Sequence, residues 1–387
     1  MDERKRTKKI IGEVLAEIIE DVKGGCVKKV SIGLMAYGSE LGSEELVKGA
    51  VLAMQNDPSL NVVMIGPKCE ASEGVSWIET PECESDISKA MEDALEKGII
   101  SGAVALHYPF PLGVATIGKV LTPAKARPCF IASSTGTASS NRTEAMVRNA
   151  LYGIAAAKAD GIKSPTVGIL NLDGAQAVLR ALQKLSEGGY PINFGSSMRK
   201  DGGAILRGND LLAGSVDVCV ADTLTGNVLM KLFSAWNTGG NYEALGWGYG
   251  PSAGESWGKV VSIISRASGA PVIAAALSLN ARCVKAGLPG LVAAELETAK
   301  KAGLADILAS LQPKQPSAGE DVKAPPAEPT DEEIHGIDVL EIEDAVKALW
   351  KDGIYAESSM GCTGPVIKMA SARIEKAKVL LKQKGYI

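Results

Sequence analysis

This sequence predicts an α/β fold, a largely parallel sheet flanked by helices, on three observations. Between residues 28 and 311, short β-branched apolar runs alternate with amphipathic stretches of helical length, the pattern of βαβ units. Each run ends in polar or glycine-rich turn residues, where α/β proteins place their sites. At 387 residues, 46% of them hydrophobic, the chain can bury one large or two moderate cores without disulfides or a structural metal.

Residues 1–27 predict an amphipathic helix, because Ile10, Ile11, Val14, Leu15, Ile18, Ile19 and Val22 recur at helical spacing. Lys and Glu interrupt that stretch, so it is not read as a signal peptide. Strands are expected at 30–34, 62–65, 102–106, 129–132, 166–170 and 216–221. After the first strand, Ser43 is placed to cap a helix whose first turn holds Glu44 and Glu45. Residues 113–120 almost spell a nucleotide-binding loop, but Val120 stands where a Ser or Thr would ligate magnesium, and the segment is read as a helix packed on the sheet. Five prolines mark 312–330 as a linker. Residues 331–387 then read as a small separable α/β unit with a helix near 345–350 and a last helix starting at Pro365.

A formal net charge of -4 without a basic stripe argues against nucleic-acid and membrane partners, and no segment is apolar enough to span a bilayer. The expectation is a soluble, cytoplasmic protein. Its seven cysteines are odd in number with no C-x-x-C pair, which argues against a disulfide framework and a zinc site. With only His107 and His335, imidazole chemistry is not expected, nor is a metal or cofactor.

Among the motifs, Met360-Gly361-Cys362-Thr363-Gly364-Pro365 is the most informative. If Pro365 opens a helix, Cys362 lies just before a helix N-terminus, where the dipole and free N–H groups favour a thiolate and could hold an oxyanion. The dipole supplies roughly 0.3–1 kcal/mol against about 1.4 kcal/mol per pKa unit, so a cation such as Lys368 would have to add the rest. The remaining cysteines, Cys26, Cys69, Cys83, Cys129, Cys219 and Cys283, read as small packed hydrophobes.

A second motif, Asp222-Thr223-Leu224-Thr225-Gly226-Asn227, ends a strand and enters a helix predicted over 228–236, so it suits either an anion or an ordinary helix cap. Gly38 and Ser39 follow the first strand, and residues 133–137 form a small polar strand end suited to lining a site.

Over roughly 28–310, Gly38-Ser39-Glu40-Leu41-Gly42, Leu170-Asn171 and the Thr225-Gly226-Asn227 stretch resemble the phosphate acyltransferase family of phospholipid synthesis. That resemblance implies an isocitrate dehydrogenase-like fold and the formation of acyl phosphates from thioesters. This chain departs from the pattern at Met35, at the Gly38-Ser39 pair, at Thr223 and across 107–111, which points to a shorter acyl group. With its proline-rich linker and Cys362 motif, the whole chain is similar to the component C alpha subunits of glycine, sarcosine and betaine reductases. This second resemblance implies acetyl phosphate as product, a ketoacyl-synthase-like beta subunit as partner, and a carboxymethylated selenoprotein as acyl donor. It also implies a thioester on Cys362, flanked by Gly361, Thr363 and Gly364, attacked by phosphate held near Asp222, Thr225, Gly226, Asn227, Gly38 and Ser39. An acyl-carrier-dependent phosphate acyltransferase and a non-catalytic assembly subunit stay open, as does the oligomeric state, a homo-oligomer included.

Overall fold

The computed structural model describes residues 29–70, 74–199, 202–312, 322–338, 341–361 and 364–387. The helix expected over 1–27 and the middle of the linker lie outside them.

Twelve strands build one sheet: β1 (Val30–Met35), β2 (Leu60–Gly66), β3 (Ser76–Glu79), β4 (Gly102–Ala105), β5 (Val114–Leu121), β6 (Pro128–Thr137), β7 (Thr166–Leu170), β8 (Asn193–Phe194), β9 (Ile205–Leu206), β10 (Val218–Val220), β11 (Gly250–Gly254) and β12 (Val261–Ile263). Their order is β3-β2-β1-β4-β12-β11-β5-β6-β10-β7-β8, with β9 also on β7. The strands β3, β2, β1, β4 and β12 run parallel to their neighbours, as do β6, β10, β7, β8 and β9. The antiparallel pairs β12–β11, β11–β5 and β5–β6 join these halves. All six expected strands are present. They are largely buried, and their apolar runs carry the signal of strands covered on both faces.

Residues 113–120 are not a helix. They form β5, bulged against β6 between Thr116 and Ile117. Val114, Thr116, Ile117 and Val120 are β-branched and buried, so χ1 stiffness and two-sided burial favour the strand. Gly118 within it is a packing glycine: an added Cβ would stand 2.4 Å from the Met230 sulfur.

The helices of the main domain are α1 (Ser43–Asn56), α2 (Glu84–Glu96), α3 (Arg142–Ala159), α4 (Ala175–Glu187), α5 (Gly208–Ala213), α6 (Thr223–Ser234), α7 (Ala270–Lys285), α8 (Leu288–Lys301) and α9 (Leu304–Ser310). Gly42, not Ser43, occupies the N-cap of α1 and gives it no side-chain bond; Glu44 and Glu45 sit in the first turn as expected. Helix α3 is buried almost all round, and the Asn141 side chain caps it by accepting from the Glu144 amide at 2.9 Å. No helix among the described residues is long and apolar enough to cross a membrane.

The C-terminal unit holds β13 (Glu332–Ile334), α10 (Ile342–Lys351), β14 (Ala356–Gly361), β15 (Gly364–Met369) and α11 (Ile374–Lys384) around a core of its own, with Ile337, Val346, Leu349, Ile367, Met369 and Leu381 buried. Pro365 does not open a helix. It lies near the start of β15, which pairs antiparallel with β13 and β14, and the helix begins only at Ile374. Adjacent β-branched Val366 and Ile367 are both buried here, and a strand's first positions tolerate proline. Arg180 of α4 ties the unit to the main domain, donating to the carbonyls of Gly336 and Tyr386 at 3.2 and 3.0 Å and to the Glu341 carboxylate.

Candidate functional site

A cleft of about 320 Å³ opens where the two halves of the sheet meet. The loop after β1 supplies Glu40, and the loop after β4 supplies Leu106, His107 and Tyr108. From the other half come Thr135 at the end of β6 and Asn227 and Lys231 of α6. Tyr249 precedes β11, Ile263 ends β12, and Ile264, Ser265 and Arg266 follow it; Ile263 and Ile264 are buried, whereas Lys231 and Arg266 are exposed. Among the described residues no group of three or more His, Cys, Asp or Glu side chains is placed to hold a metal ion.

The start of α6 is fixed by backbone packing. An added Cβ on Gly226 would lie 1.8 Å from the Ser133 carbonyl oxygen, so only glycine lets the helix rest on β6. Asn227 then donates to the Ser134 carbonyl at 3.1 Å, and Thr223 shares a hydroxyl contact of 2.8 Å with Ser133. The helix begins at Thr223, earlier than expected, and its cap is Asp222 rather than Thr225 or Asn227. Asp222 accepts from the Thr225 amide at 3.0 Å, from the Thr225 hydroxyl at 2.8 Å and from Arg142 at 2.9 Å.

Burial pushes the Asp222 carboxyl up, but these three partners together hold it below the ordinary carboxylate range. Its folded value lies under the unfolded one of about 3.9, so its stabilisation is complete above about pH 4 and is lost as pH falls through the folded value. Asp222→Ala is expected to cost about 1 kcal/mol near neutrality and to flatten that part of the acid-unfolding curve. Denaturant titrations at several acidic pH values read both effects.

Of the residues expected to hold phosphate, Asn227 lines the cleft. Asp222 and Thr225 are engaged with one another, and Gly226 is closed against β6. Gly38 takes a positive φ of 88° in the loop after β1, and Ser39 braces that loop by accepting from the Leu41 amide at 3.1 Å. The Glu40 amide donates to the Arg266 carbonyl at 2.8 Å, which joins this loop to the end of β12. Cys362 and Thr363 lie outside the described residues, and the backbones of Gly361 and Gly364 pair across the β14–β15 hairpin. Cys129, Cys219 and Cys283 are buried as expected, and burial raises each thiol; Cys69 and Cys83 are instead partly exposed.

Sequence reasoning missed Lys231, Tyr249 and Arg266. Lys231 had a usable signal, since it stands four residues after Asn227 on the same helical face. Arg266 had less, because β12 is three residues long and was not among the expected strands.

A family described as "Fatty acid synthesis protein" matches residues 29–368, a span that contains every cleft residue and reaches β15. The chain belongs to that family. Within reach of this family assignment, the chain is 49% identical, over 98% of its length and 99% of the relative's, to a protein of Peptoclostridium acidaminophilum named glycine/sarcosine/betaine reductase complex component C subunit alpha. A phosphate acyltransferase of Thermotoga maritima is 28% identical over 52% of this chain and 68% of its own. Among solved structures, a branched-chain phosphotransacylase from Enterococcus faecalis V583 covers 66% of this chain and 99% of its own at 14% identity and a TM-score of 0.45, a level that adds nothing to the assignment.

Proposed function

We propose that this family member transfers an acetyl group from a thioester to inorganic phosphate, as the alpha subunit of the acetyl-phosphate-forming component of a glycine reductase. The observation that carries the reading is the cleft, which Arg266, Lys231 and Asn227 line together with Glu40 and the buried Leu106, Ile263 and Ile264. Two cations and an amide donor suit a phosphate dianion, and the apolar side chains suit a methyl group. The 49% identical relative named for component C supports the setting, and the phosphate acyltransferase relatives support the reaction type.

In this reading phosphate oxygen attacks the thioester carbonyl carbon and the thiolate leaves. Both ends of the reaction are activated, so positioning and charge stabilisation supply most of the catalysis. The thioester sits on Cys362, the partner is a ketoacyl-synthase-like beta subunit, and the donor is a carboxymethylated selenoprotein. Transfer of long acyl groups from a carrier protein is the less favoured reading, because about 320 Å³ is at the small end of ligand sites.

Arg266→Gln is expected to raise the KM for phosphate about 10- to 100-fold with a smaller change in kcat, the size of one charge-assisted contact. Steady-state acetyl phosphate formation at varied phosphate reads this, alongside direct calorimetric binding of phosphate. Unchanged phosphate binding in the variant would remove the anion site from this cleft.

A further inference from the structure

Behind the Lys231 and Ser265 wall lies a second cleft of about 530 Å³, bordered also by Trp236, Tyr242 and Glu243. Lys231 and Ser265 line both clefts, Tyr249 lines the first and Glu243 the second. At the junction Glu243 is buried, with 3% of its surface exposed. Its backbone is pinned on both sides: its amide donates to the Ala267 carbonyl at 2.9 Å and its carbonyl accepts from the Gly269 amide at 2.8 Å. One carboxylate oxygen accepts from the Tyr249 hydroxyl at 2.9 Å and the other from the Ser268 hydroxyl at 3.4 Å.

A carboxyl buried this deeply is ordinarily matched by a cation in direct contact. Glu243 instead has hydroxyls around it. The titratable groups that face it are Lys231 from α6 and Tyr249 ahead of β11, while the loop after β12 contributes the Ser265 and Ser268 hydroxyls and α6 also brings Ser234. Burial raises its proton affinity, and Tyr249, Lys231, Ser265 and Ser234 only partly offset that. The Lys231 ammonium reaches over the Tyr249 ring, 5.5 Å from its centroid.

We propose that Glu243 is the proton-holding positioning residue of the cleft, exchanging a proton with the substrates through the Tyr249 hydroxyl. The inference rests on the acyl-transfer reading and completes its proton balance. Hydrogen phosphate enters with one proton, its oxygen bonds to the carbonyl carbon, the carbon–sulfur bond breaks, and the acyl phosphate leaves without that proton. The departing thiolate needs one proton. Glu243, as carboxylate, takes the proton that phosphate loses and returns it to sulfur, ending as it began. No oxidant, reductant or further reactant is required. Because Tyr249 lines the first cleft and Glu243 does not, Glu243 acts through the Tyr249 hydroxyl.

The test is exchange of isotopically labelled inorganic phosphate into acetyl phosphate by the full chain, measured from acid to alkaline pH for wild type, Glu243→Gln, Glu243→Asp and Tyr249→Phe. Glu243→Gln is expected to lower the exchange kcat about 100-fold with phosphate KM within about 2-fold, and to abolish the acid limb of the rate profile. Glu243→Asp is expected to restore part of the rate and the limb. Tyr249→Phe removes only a hydroxyl and is expected to lower kcat by a smaller factor, so it decides the matter if Glu243→Gln does not fold. Wild-type exchange with unchanged rates and acid limbs in the folded variants overturns the inference alone. So does a loss carried entirely by a raised phosphate KM, which makes Glu243 part of the anion site. Absence of exchange in wild type overturns the acyl-transfer reading, and this inference with it.

Discussion

After incubation with acetyl phosphate, the wild-type chain is expected to carry an acetyl group on the peptide containing Cys362, and Cys362→Ala to carry none. Loss of a covalent nucleophile removes the step itself, so acetyl phosphate formation should fall by at least ~10³-fold in the variant. Intact-protein and peptide mass spectrometry, with and without phosphate or arsenate to release the group, reads the label directly. The structure changes the reason for expecting a reactive thiol. The helix dipole invoked from sequence is not available, because Gly364–Met369 is a strand and α11 starts at Ile374. Lys368, the cation first considered, stands 3.6 Å from Glu333 in an ion pair. A wild-type chain that stays unmodified even with its partner present would end the covalent role and favour a thiol-independent transferase or an assembly subunit.

Gly226→Ala is expected to be strongly destabilising at the wall of the cleft. The new Cβ would lie 1.8 Å from the Ser133 carbonyl oxygen, a backbone atom that cannot rotate away. Overpacking a closed contact costs about 1–3 kcal/mol, and displacing α6 from β6 puts this case at the upper end or beyond. Such a shift would also move Asn227 and Lys231, so phosphate affinity should fall together with stability. Gly290→Ala is the contrasting case: it lies in α8 with nothing within 4 Å of the added methyl, and a gain of about 0.5–1 kcal/mol is expected. Thermal unfolding of the two variants separates the outcomes. Equal stabilities would mean that α6 is free to slide on β6, and the cleft would lose its fixed wall.

The parallel strands covered on both faces announced themselves as β-branched runs, whereas the equally buried antiparallel β5 and β11 did not. Short strands such as β9 and β12, two and three residues long, carry too few residues for a periodicity to register. Residues 113–120 and 364–369 were misassigned because a Gly or Pro beside an apolar run serves helices and strands alike, and the partners across the sheet settle which one forms.

By itself, then, the sequence determined an α/β chain, because hydrophobic spacing and punctuation are local properties. It also marked Asp222 to Asn227, although it could not tell a cap from an anion site. Tertiary structure alone decided that Asp222 caps, Gly226 packs and Asn227 faces the cleft, since each role depends on where β6 lies against α6. The same holds for Lys231, Tyr249 and Arg266, which sit on separate elements and line one cleft only because the ends of β12, β11 and α6 are brought together.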